Sequence, residues 1–248
     1  MASRFLVPVL LLVAWFATTA TGVVKSYQFA SPAGVLNEVT DLVQRGELWA
    51  DLGISLERVA IGFLAALVCA LVLGTLVGSS AFAERALDPT LQAIRSVPSL
   101  AWVPLLLLWL GIGEAAKVTL VGIGAFFPIY VALVAGIRGV DRKLVEVARS
   151  LGLSGIALAV RVLVPATLPT LLVGMRIGLT QAWLFLVAAE LLGASRGLGF
   201  LLTDGQQTAR TDEILVAILL FALCGKLSEM GLRAIERRAV GWADTVNA

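Results

Sequence analysis

The chain has little of what a water-soluble protein or a metal enzyme is built from. Of its 248 residues, 15% are charged and none is histidine, whereas 59% are apolar when Cys and Tyr are counted among them. Soluble domains have about 25% charged residues, so this sequence lacks the charge to cover a water-facing surface. Without histidine, the common zinc sites and a histidine-based catalytic triad are excluded, and we expect no catalytic or metal-binding residues.

Scarce cysteine and a near-neutral charge exclude two further classes of protein. Cys69 and Cys224 lie far apart inside apolar stretches, where a buried cysteine acts as a small hydrophobe, so no disulfide framework is predicted. Nineteen Lys and Arg against 17 Asp and Glu give a net charge of +2. A nucleic-acid-binding surface needs a larger basic excess, so we expect no nucleic acid partner.

Long apolar runs are what the sequence does have. A helix needs about 20 predominantly apolar residues to cross a bilayer, because unpaired backbone groups are too costly in hydrocarbon. The sequence therefore predicts an all-α polytopic membrane protein, with a single domain over residues 1–248. Its six predicted spans lie near residues 4–23, 54–78, 97–110, 118–137, 168–192 and 214–232.

The first predicted span has an alternative interpretation. Arg4 precedes an apolar core that ends in small residues, as in a cleaved signal peptide. The apolar run is long for a signal peptide, and no secreted domain obviously begins after it, so we favour an uncleaved span. Basic residues concentrate in the loops on the N-terminal side of the predicted membrane, which places both termini in the cytoplasm.

Two segments outside the spans have amphipathic patterns. Ser31 and Pro32 are typical of a helix start, and they predict a surface helix that ends near residue 48. Its predicted apolar face consists of Val35, Leu36, Val39, Leu42 and Val43. The second segment, residues 81–96, is predicted to be broken at Pro89, because the residue before a proline avoids helical backbone angles.

The inner loop 139–167 is the most informative one. Asp141 is predicted to cap a short helix, and Gly152 to end it in the left-handed conformation that glycine adopts at low cost. The predicted apolar face of this helix consists of Leu144, Val145, Ala148 and Leu151. A short helix with a small residue at its centre suits docking in a groove of another protein. The residues alone also allow an ordinary re-entry loop.

This loop resembles the EAA signature of ABC importer permeases. The signature is Glu-Ala-Ala, three residues, Gly, nine residues and Ile-x-Leu-Pro. The matching residues here are Glu146, Val147, Ala148, Gly152, Val162, Val164 and Pro165. Valine replaces the second alanine, the isoleucine and the leucine, so every departure keeps an apolar side chain. The resemblance implies that residues 139–167 form the cytoplasmic loop that couples the permease to an ATPase.

The resemblance extends along nearly the whole chain. Permeases of the aliphatic sulfonate, taurine and nitrate importers are similar to it in the segments SPAGVLNEV, GELWADLGISLERVAIGF, LDPTLQAIRSVPSLAWVPLLLLWLGIGEAAKV and GMRIGLTQAWLFLVAAELLGASRGLGFLL. This similarity implies the type I, MetI-like permease fold in a bacterial inner membrane. It also implies that the protein transports a small anionic solute by alternating access. A different small solute, such as a vitamin precursor, is the alternative.

The same resemblance implies the partners and the coupling residues. The partners are two ATPase subunits that bind ATP and Mg²⁺, a second permease copy in a homodimer, an extracytoplasmic solute-binding protein and membrane lipid. In agreement, the sequence contains no G-x-x-x-x-G-K-[ST] phosphate loop, so no cofactor is expected on this chain.

Five residues of the loop 139–167 are expected to couple the permease to the ATPase. They are Glu146 as a polar contact or cap, Ala148 for close approach, Gly152 as the helix stop, Arg149 and Pro165.

Polar and ionisable residues within the spans are candidates for the solute pathway. A charge at mid-bilayer costs roughly 2.5–3.5 kcal/mol, so each one needs a partner or a water path. The predicted pathway residues are Arg176, Gln181, Trp183 and Glu190 of the fifth span and Trp102 of the third. An Arg176 that faces the cavity would favour anionic solutes, although subunit packing explains it equally well. Lys226 and Glu229, three residues apart, are predicted to neutralise each other.

Two rival functions have less support in the sequence. A secondary transporter driven by an ion gradient would call for inverted repeats and several carboxylates within the membrane, and no convincing repeat is present. A membrane-embedded enzyme would call for a nucleophile with a base or a cluster of metal ligands.

Glycine pairs at Gly74 and Gly78 and at Gly174 and Gly178 are predicted to allow close helix packing within the subunit.

Overall fold

The computed structural model of the protein describes residues 3–21, 25 and 28–240. All regular secondary structure of these residues is helical, as the sequence predicts. The helices are α1 (Ser3–Ala20), α2 (Pro32–Gln44), α3 (Glu47–Ser79), α4 (Ala81–Ser96), α5 (Val103–Leu110), α6 (Glu114–Arg138), α7 (Arg142–Ser150), α8 (Gly155–Leu158), α9 (Val164–Ala166), α10 (Leu168–Leu191), α11 (Leu198–Gln207) and α12 (Thr211–Ala239). A 3₁₀ turn, Ser99–Trp102, leads into α5, and a π-helical turn, Ala159–Leu163, joins α8 to α9.

Four helices of the described chain are long and apolar enough to cross a membrane. They are α3, α6, α10 and α12, and they lie at the predicted spans 54–78, 118–137, 168–192 and 214–232. Helix α3 has 33 residues, or about 50 Å at a rise of about 1.5 Å per residue. The hydrocarbon core is about 30 Å thick, so α3 extends well beyond it.

The predicted third span, 97–110, is not one straight helix. The chain bends by 86° between α4 and the helical segment Leu100–Leu110. Pro98 explains the bend, because it holds the preceding Val97 in an extended conformation that ends α4. Helix α5 has eight residues, or about 12 Å, and is too short to cross alone. Residues 97–110 therefore contribute a span only if α4 and α5 together form a broken one.

Helix α1 lies at the predicted first span, 4–23. It is helical up to Ala20, and residues 22 and 23 lie outside the described part of the chain. Its exposed apolar side chains, which include Leu6, Leu10 and Phe16, are typical of a lipid-facing helix. Its membrane crossing, and with it the count of six spans, stays a prediction.

The chain forms two compact units, each of which we describe by itself. The first combines Met1–Leu56 with Glu190–Cys224, and the second combines Glu57–Ala189 with Gly225–Ala248. The single domain over residues 1–248 stays a prediction. In the first unit, a buried apolar cluster joins α2, the start of α3, α11 and α12. It consists of Ala30, Val35, Leu42, Leu48, Leu198, Leu201, Leu202, Val216 and Ala217.

Helix α2 begins where the sequence predicts but presents a different face to the protein. The Ser31 hydroxyl accepts a hydrogen bond from the Gly34 amide at 3.1 Å, which caps the helix. Leu36 and Val43 are exposed, so the predicted apolar face is wrong at these two positions. Glu38 is buried instead, 3% exposed, because the guanidinium groups of Arg45 and Arg210 bind its carboxylate.

In the second unit, α6 packs closely against α3 on one side and against α10 on the other. A Cβ atom added at Gly74 of α3 would lie 2.8 Å from Leu133 of α6, and one at Gly178 of α10 would lie 2.9 Å from the Ala125 carbonyl oxygen. A side chain at Gly74 would force Leu133 to shift, and one at Gly178 would collide with the backbone of α6. The glycine pairs therefore pack within the subunit, as predicted.

The predicted break in the segment 81–96 is absent. Helix α4 continues through Pro89, and two polar contacts join it to α6. The Tyr130 hydroxyl donates to Asp88 Oδ1 at 2.7 Å, and Arg138 lies 3.0 Å from Glu84. Helix α4 has no buried residue of its own, so these contacts fix its position against α6.

Candidate functional site

The loop 139–167, which is predicted to lie on the inner side, contains α7, whose start is the predicted one. The Asp141 carboxylate accepts a hydrogen bond from the Lys143 amide at 2.9 Å. The first amides of a helix have no partner within it, and a side-chain oxygen at this position satisfies one of them. Asp141 is therefore the N-cap of α7, as the sequence predicts.

The end of α7 is also the predicted one. Gly152 has a φ of +82°, which a side chain would make costly. The Leu153 amide donates to the Ala148 carbonyl at 3.0 Å, and the Gly152 amide donates to the Arg149 carbonyl at 2.9 Å. These two bonds form a Schellman motif, which pairs carbonyls that a helix end otherwise leaves unbonded. Gly152 thus ends α7 and reverses the chain.

Helix α7 turns a mixed apolar and charged surface outward. Ala148 is 5% exposed and faces the protein, whereas Glu146 and Arg149 are exposed. Leu144 and Leu151, which are predicted to share a face with Ala148, are exposed in the single chain. We call the exposed apolar residues of α7 and its end the docking stripe, which consists of Leu144, Val147 and Leu151. Charged neighbours flank this stripe.

The rest of the loop packs its helical turns beside the end of α3. In the π-helical turn, Ala159 and Leu163 are buried. Pro165 is the second residue of α9 and is exposed. A cavity of about 750 Å³ opens between this region and α3, and its lining includes Leu71, Leu76, Arg149, Ile156 and Val160. Of the five predicted coupling residues, the loop therefore exposes Glu146, Arg149, Gly152 and Pro165 and buries Ala148.

Glu190, a predicted pathway residue, is fully buried in the first unit. Its Oε1 accepts a hydrogen bond from the Ser55 hydroxyl at 2.7 Å, and its Oε2 accepts one from the Gly199 amide at 2.7 Å. A buried carboxylate is costly unless it is hydrogen-bonded, and here both oxygens are. The side chain therefore joins α10 to α3 and to the start of α11.

Two further acceptors complete this arrangement. Ser55 Oγ accepts from the Leu198 amide at 2.9 Å, and Asp51 Oδ1 accepts from the Gly197 amide at 2.8 Å. Buried oxygens on other segments thus bind three successive amides at the start of α11, which otherwise have no partner in the helix. We call Asp51, Ser55 and Glu190 the outer clamp. The sequence analysis did not foresee the roles of Asp51 and Ser55, which lie far from α11 along the chain.

The other predicted pathway residues lie in the second unit. Arg176 Nη1 is 3.2 Å from Glu236 Oε2, while its Nε atom is buried and finds no hydrogen-bond partner in the described part of the chain. Trp183 is buried and donates from Nε1 to Ser228 Oγ at 2.9 Å. Gln181 is half-buried. The structure therefore joins the α10 residues Arg176 and Trp183 to α12.

Trp102 lies beside a buried apolar cluster to which α5, α6 and α10 contribute. This cluster consists of Val103, Leu106, Leu120, Phe185 and Ala189, and Trp102 packs against it. Trp102 also lines an apolar cavity of about 530 Å³ beside α3, α4 and α6.

The predicted pair on α12 forms and gains a third member. Lys226 Nζ is 3.2 Å from Glu229 Oε2, and Arg233 Nη2 is 2.6 Å from Glu229 Oε1. These side chains therefore neutralise one another along a single helix face.

A charged cluster of Arg58, Glu114 and Lys117, which the sequence did not predict, joins α3 to α6. Arg58 Nε and Nη2 donate to the two carboxylate oxygens of Glu114 at 2.6 and 2.7 Å. Lys117 Nζ lies 3.1 Å from Glu114 Oε1. The signal in the sequence was the position of these two cations, with Arg58 near the start of the second predicted span and Lys117 just before the fourth. Their pairing with Glu114 depends on a contact 56 residues apart in the chain.

The chain is similar to known membrane transport proteins. A family described as "Binding-protein-dependent transport system inner membrane component" matches residues 62–241. The "Putative aliphatic sulfonates transport permease protein SsuC" of Bacillus subtilis is 40% identical over 240 residues, which cover 97% of this chain and 87% of that protein. The "Taurine transport system permease protein TauC" of Escherichia coli is 34% identical over 237 residues, covering 94% and 86%.

A solved structure shares the fold. A chain of the MetNI methionine ABC transporter, in an inward facing conformation, superposes with a TM-score of 0.64 at 21% identity. The match covers 80% of this chain and 96% of that one.

Proposed function

The chain belongs to the family of binding-protein-dependent transport system inner membrane components, and we propose that its solute is a small organic anion of the sulfonate class. It is a permease subunit of an ABC importer, which is a transport component and not an enzyme. Its similarity to permeases named for aliphatic sulfonates and for taurine supports the solute class. Both solutes combine a sulfonate group with a short organic part.

We propose that two copies of this chain assemble with two ATPase subunits, which bind ATP and Mg²⁺, and with an extracytoplasmic solute-binding protein. Membership of the family supports the ATPase and the binding protein as partners. The concentration of basic residues in the loop 139–167 supports a cytoplasmic position for this loop and for both termini.

The observation that carries the coupling role is the exposed surface of α7. An apolar stripe on a short helix, flanked by Glu146 and Arg149, is the anatomy of a protein interface, in which apolar contacts are central and charges lie at the rim. The Asp141 cap and the Gly152 motif fix both ends of the helix. Helix α7 therefore moves as one body when a partner displaces it, and Ala148 lets it lie close to the rest of the loop.

The proposed mechanism is alternating access. ATP binding closes the two ATPase subunits, and α7 transmits that movement to the loop 139–167. This loop continues through α9 directly into α10, so a displacement of α7 is passed to a membrane helix that carries Arg176, Gln181, Trp183 and Glu190. The central cavity then opens toward the loaded binding protein.

Arg176 is the best supported of the proposed pathway residues. Its Nε donor is buried and has no hydrogen-bond partner among the described residues, and such a donor favours an acceptor that arrives from outside the chain. We expect Arg176→Gln to lower uptake of ethanesulfonate several-fold by raising the half-saturating concentration. The control is Glu236→Gln, which removes the ion pair but keeps the cation. Equal uptake by Arg176→Gln and the unsubstituted protein would assign Arg176 to packing.

Purification of the tagged chain from its native membranes tests the assembly. We expect equal copy numbers of this chain and an ATPase in the isolated complex. Val147→Asp in the docking stripe should lose the ATPase, whereas Ile112→Asp, also an exposed apolar residue, should retain it. Recovery of the folded chain alone, even after cross-linking, would contradict the proposal and would favour a secondary transporter.

A further inference from the structure

The cluster of Arg58, Glu114 and Lys117 has an unusual distribution of exposure. The side chain of Arg58 is 4% exposed and that of Lys117 is 8% exposed, whereas that of Glu114 is 61% exposed. The two cations are therefore fixed inside the protein. The carboxylate that binds both of them reaches in from the surface.

Because Glu114 is the exposed residue of the cluster, its carboxylate is the group that another anion can replace. Glu114 is the first residue of α6 and follows Gly113, and of these three side chains it is the one that solvent reaches. The side chains of Arg58 and Lys117 are enclosed by the protein. A buried cation without an anion is costly. If Glu114 leaves, another anion is therefore favoured at the same donors.

We propose that Arg58 and Lys117 form an anion-binding site near the predicted outer ends of α3 and α6, where the anionic group of the solute replaces the Glu114 carboxylate. The guanidinium of Arg58 presents two parallel donors that fit two oxygens of a carboxylate or a sulfonate. Lys117 supplies a third donor at one of these oxygens. The site thus has donors for an oxyanion on two helices, and the identity of this oxyanion as a sulfonate rests on the proposed function.

The neighbouring part of α6 suits the organic end of such a solute. Immediately after Lys117, the residues Val118, Thr119, Gly122 and Ile123 line the apolar cavity that also contains Trp102. A charged group held at the start of α6 therefore lies next, along the helix, to apolar side chains. This order matches a molecule with an anionic head and a short alkyl tail.

Chemical rescue of Glu114→Ala tests the site without any transport. We expect the variant, purified in detergent, to have a lower apparent unfolding temperature than the unsubstituted protein. Ethanesulfonate should raise it again by about 2–4 °C relative to chloride at equal ionic strength. The matched control is Glu84→Ala, since the partner of Glu84 is the exposed Arg138. Equal responses of the two variants to ethanesulfonate would overturn the proposal.

A second variant tests the site in case the Glu114→Ala protein does not fold. Lys117→Gln removes one donor and leaves Arg58 paired with Glu114. In the unsubstituted protein, ethanesulfonate should raise the unfolding temperature, and Lys117→Gln should need about ten times more of it for the same rise. An unchanged concentration dependence would overturn the proposal.

Uptake by the reconstituted complex separates this proposal from the proposed function. If ethanesulfonate stabilises the protein through Lys117 but is not transported, the anion site stands and the solute assignment fails. If ethanesulfonate is transported equally well by Lys117→Gln and the unsubstituted protein, the solute assignment stands and the site is not part of its pathway.

Discussion

Glu146 on α7 and Glu190 in the outer clamp are the same residue type in opposite settings. Glu146 is exposed on a helix whose ends are fixed by bonds within twelve residues of chain, from Asp141 to Gly152. Glu190 is fully buried and bonded to Ser55, 135 residues away. The first setting leaves a side chain free for a partner. The second uses a side chain to hold the chain together, so a substitution at each has a different kind of consequence.

The largest effect is expected in the outer clamp. Glu190→Ala leaves the Gly199 amide and the Ser55 hydroxyl without their acceptor, which should lower the free energy of unfolding by about 3 kcal/mol. Glu190→Gln keeps a carbonyl oxygen for the amide and should lose much less. Thermal unfolding in detergent measures both. Hydrogen exchange at the amides of residues 197–199 should become faster in Glu190→Ala alone.

Glu47→Ala is the control for this prediction, because Glu47 is exposed and its contact is a surface pair with Arg45. If Glu190→Ala were no less stable than Glu47→Ala, the outer clamp would not hold the start of α11. The contrast between the two glutamates would then disappear.

The second effect is expected at Gly152 and concerns coupling more than stability. A valine there must adopt a left-handed backbone conformation at a cost of about 1–2 kcal/mol, although, apart from its two chain neighbours, no described residue has an atom within 4 Å of the added Cβ. ATP-driven uptake by Gly152→Val should fall about tenfold or more, since the end of α7 is displaced, while membrane insertion stays normal. Gly152→Asn, which tolerates this conformation, should retain most of the uptake. Full uptake by the valine variant would count against coupling through α7.

The smallest effect is expected at Asp141. Asp141→Ala removes the N-cap of α7, and such a loss typically costs about 1 kcal/mol. We expect uptake to decrease by a small factor and the global unfolding temperature to stay nearly unchanged, because α7 is short and exposed. Asp141→Asn keeps a capping oxygen and should behave like the unsubstituted protein. A loss as large as that of Glu190→Ala would mean that α7 belongs to the core of the fold.

The sequence predicts local features of this protein well. Ser31, Asp141 and Gly152 act on residues within a few positions of themselves, so their capping and stop roles follow from residue type and spacing. The four long helices follow from apolar runs. The glycine pairs of α3 and α10 indicate close packing correctly, because a missing side chain always leaves room for a neighbouring helix.

Features that depend on distant contacts could not be predicted. The outer clamp joins Asp51 and Ser55 to residues more than 140 positions away, and no pattern within a segment records such a pairing. The face of α2 was predicted wrongly because Glu38 is buried, and its main partner, Arg210, lies 172 residues further along.

The most direct measurement is a cross-link between α7 and the ATPase. In a chain with Cys69→Ala and Cys224→Ala, a cysteine introduced by Glu146→Cys should form a cross-link to the ATPase of the assembled complex, with a yield that changes on ATP binding. A cysteine introduced by Thr208→Cys, an exposed position just after α11, should form none. Absence of the Glu146→Cys cross-link in a complex that still contains the ATPase would contradict coupling through α7.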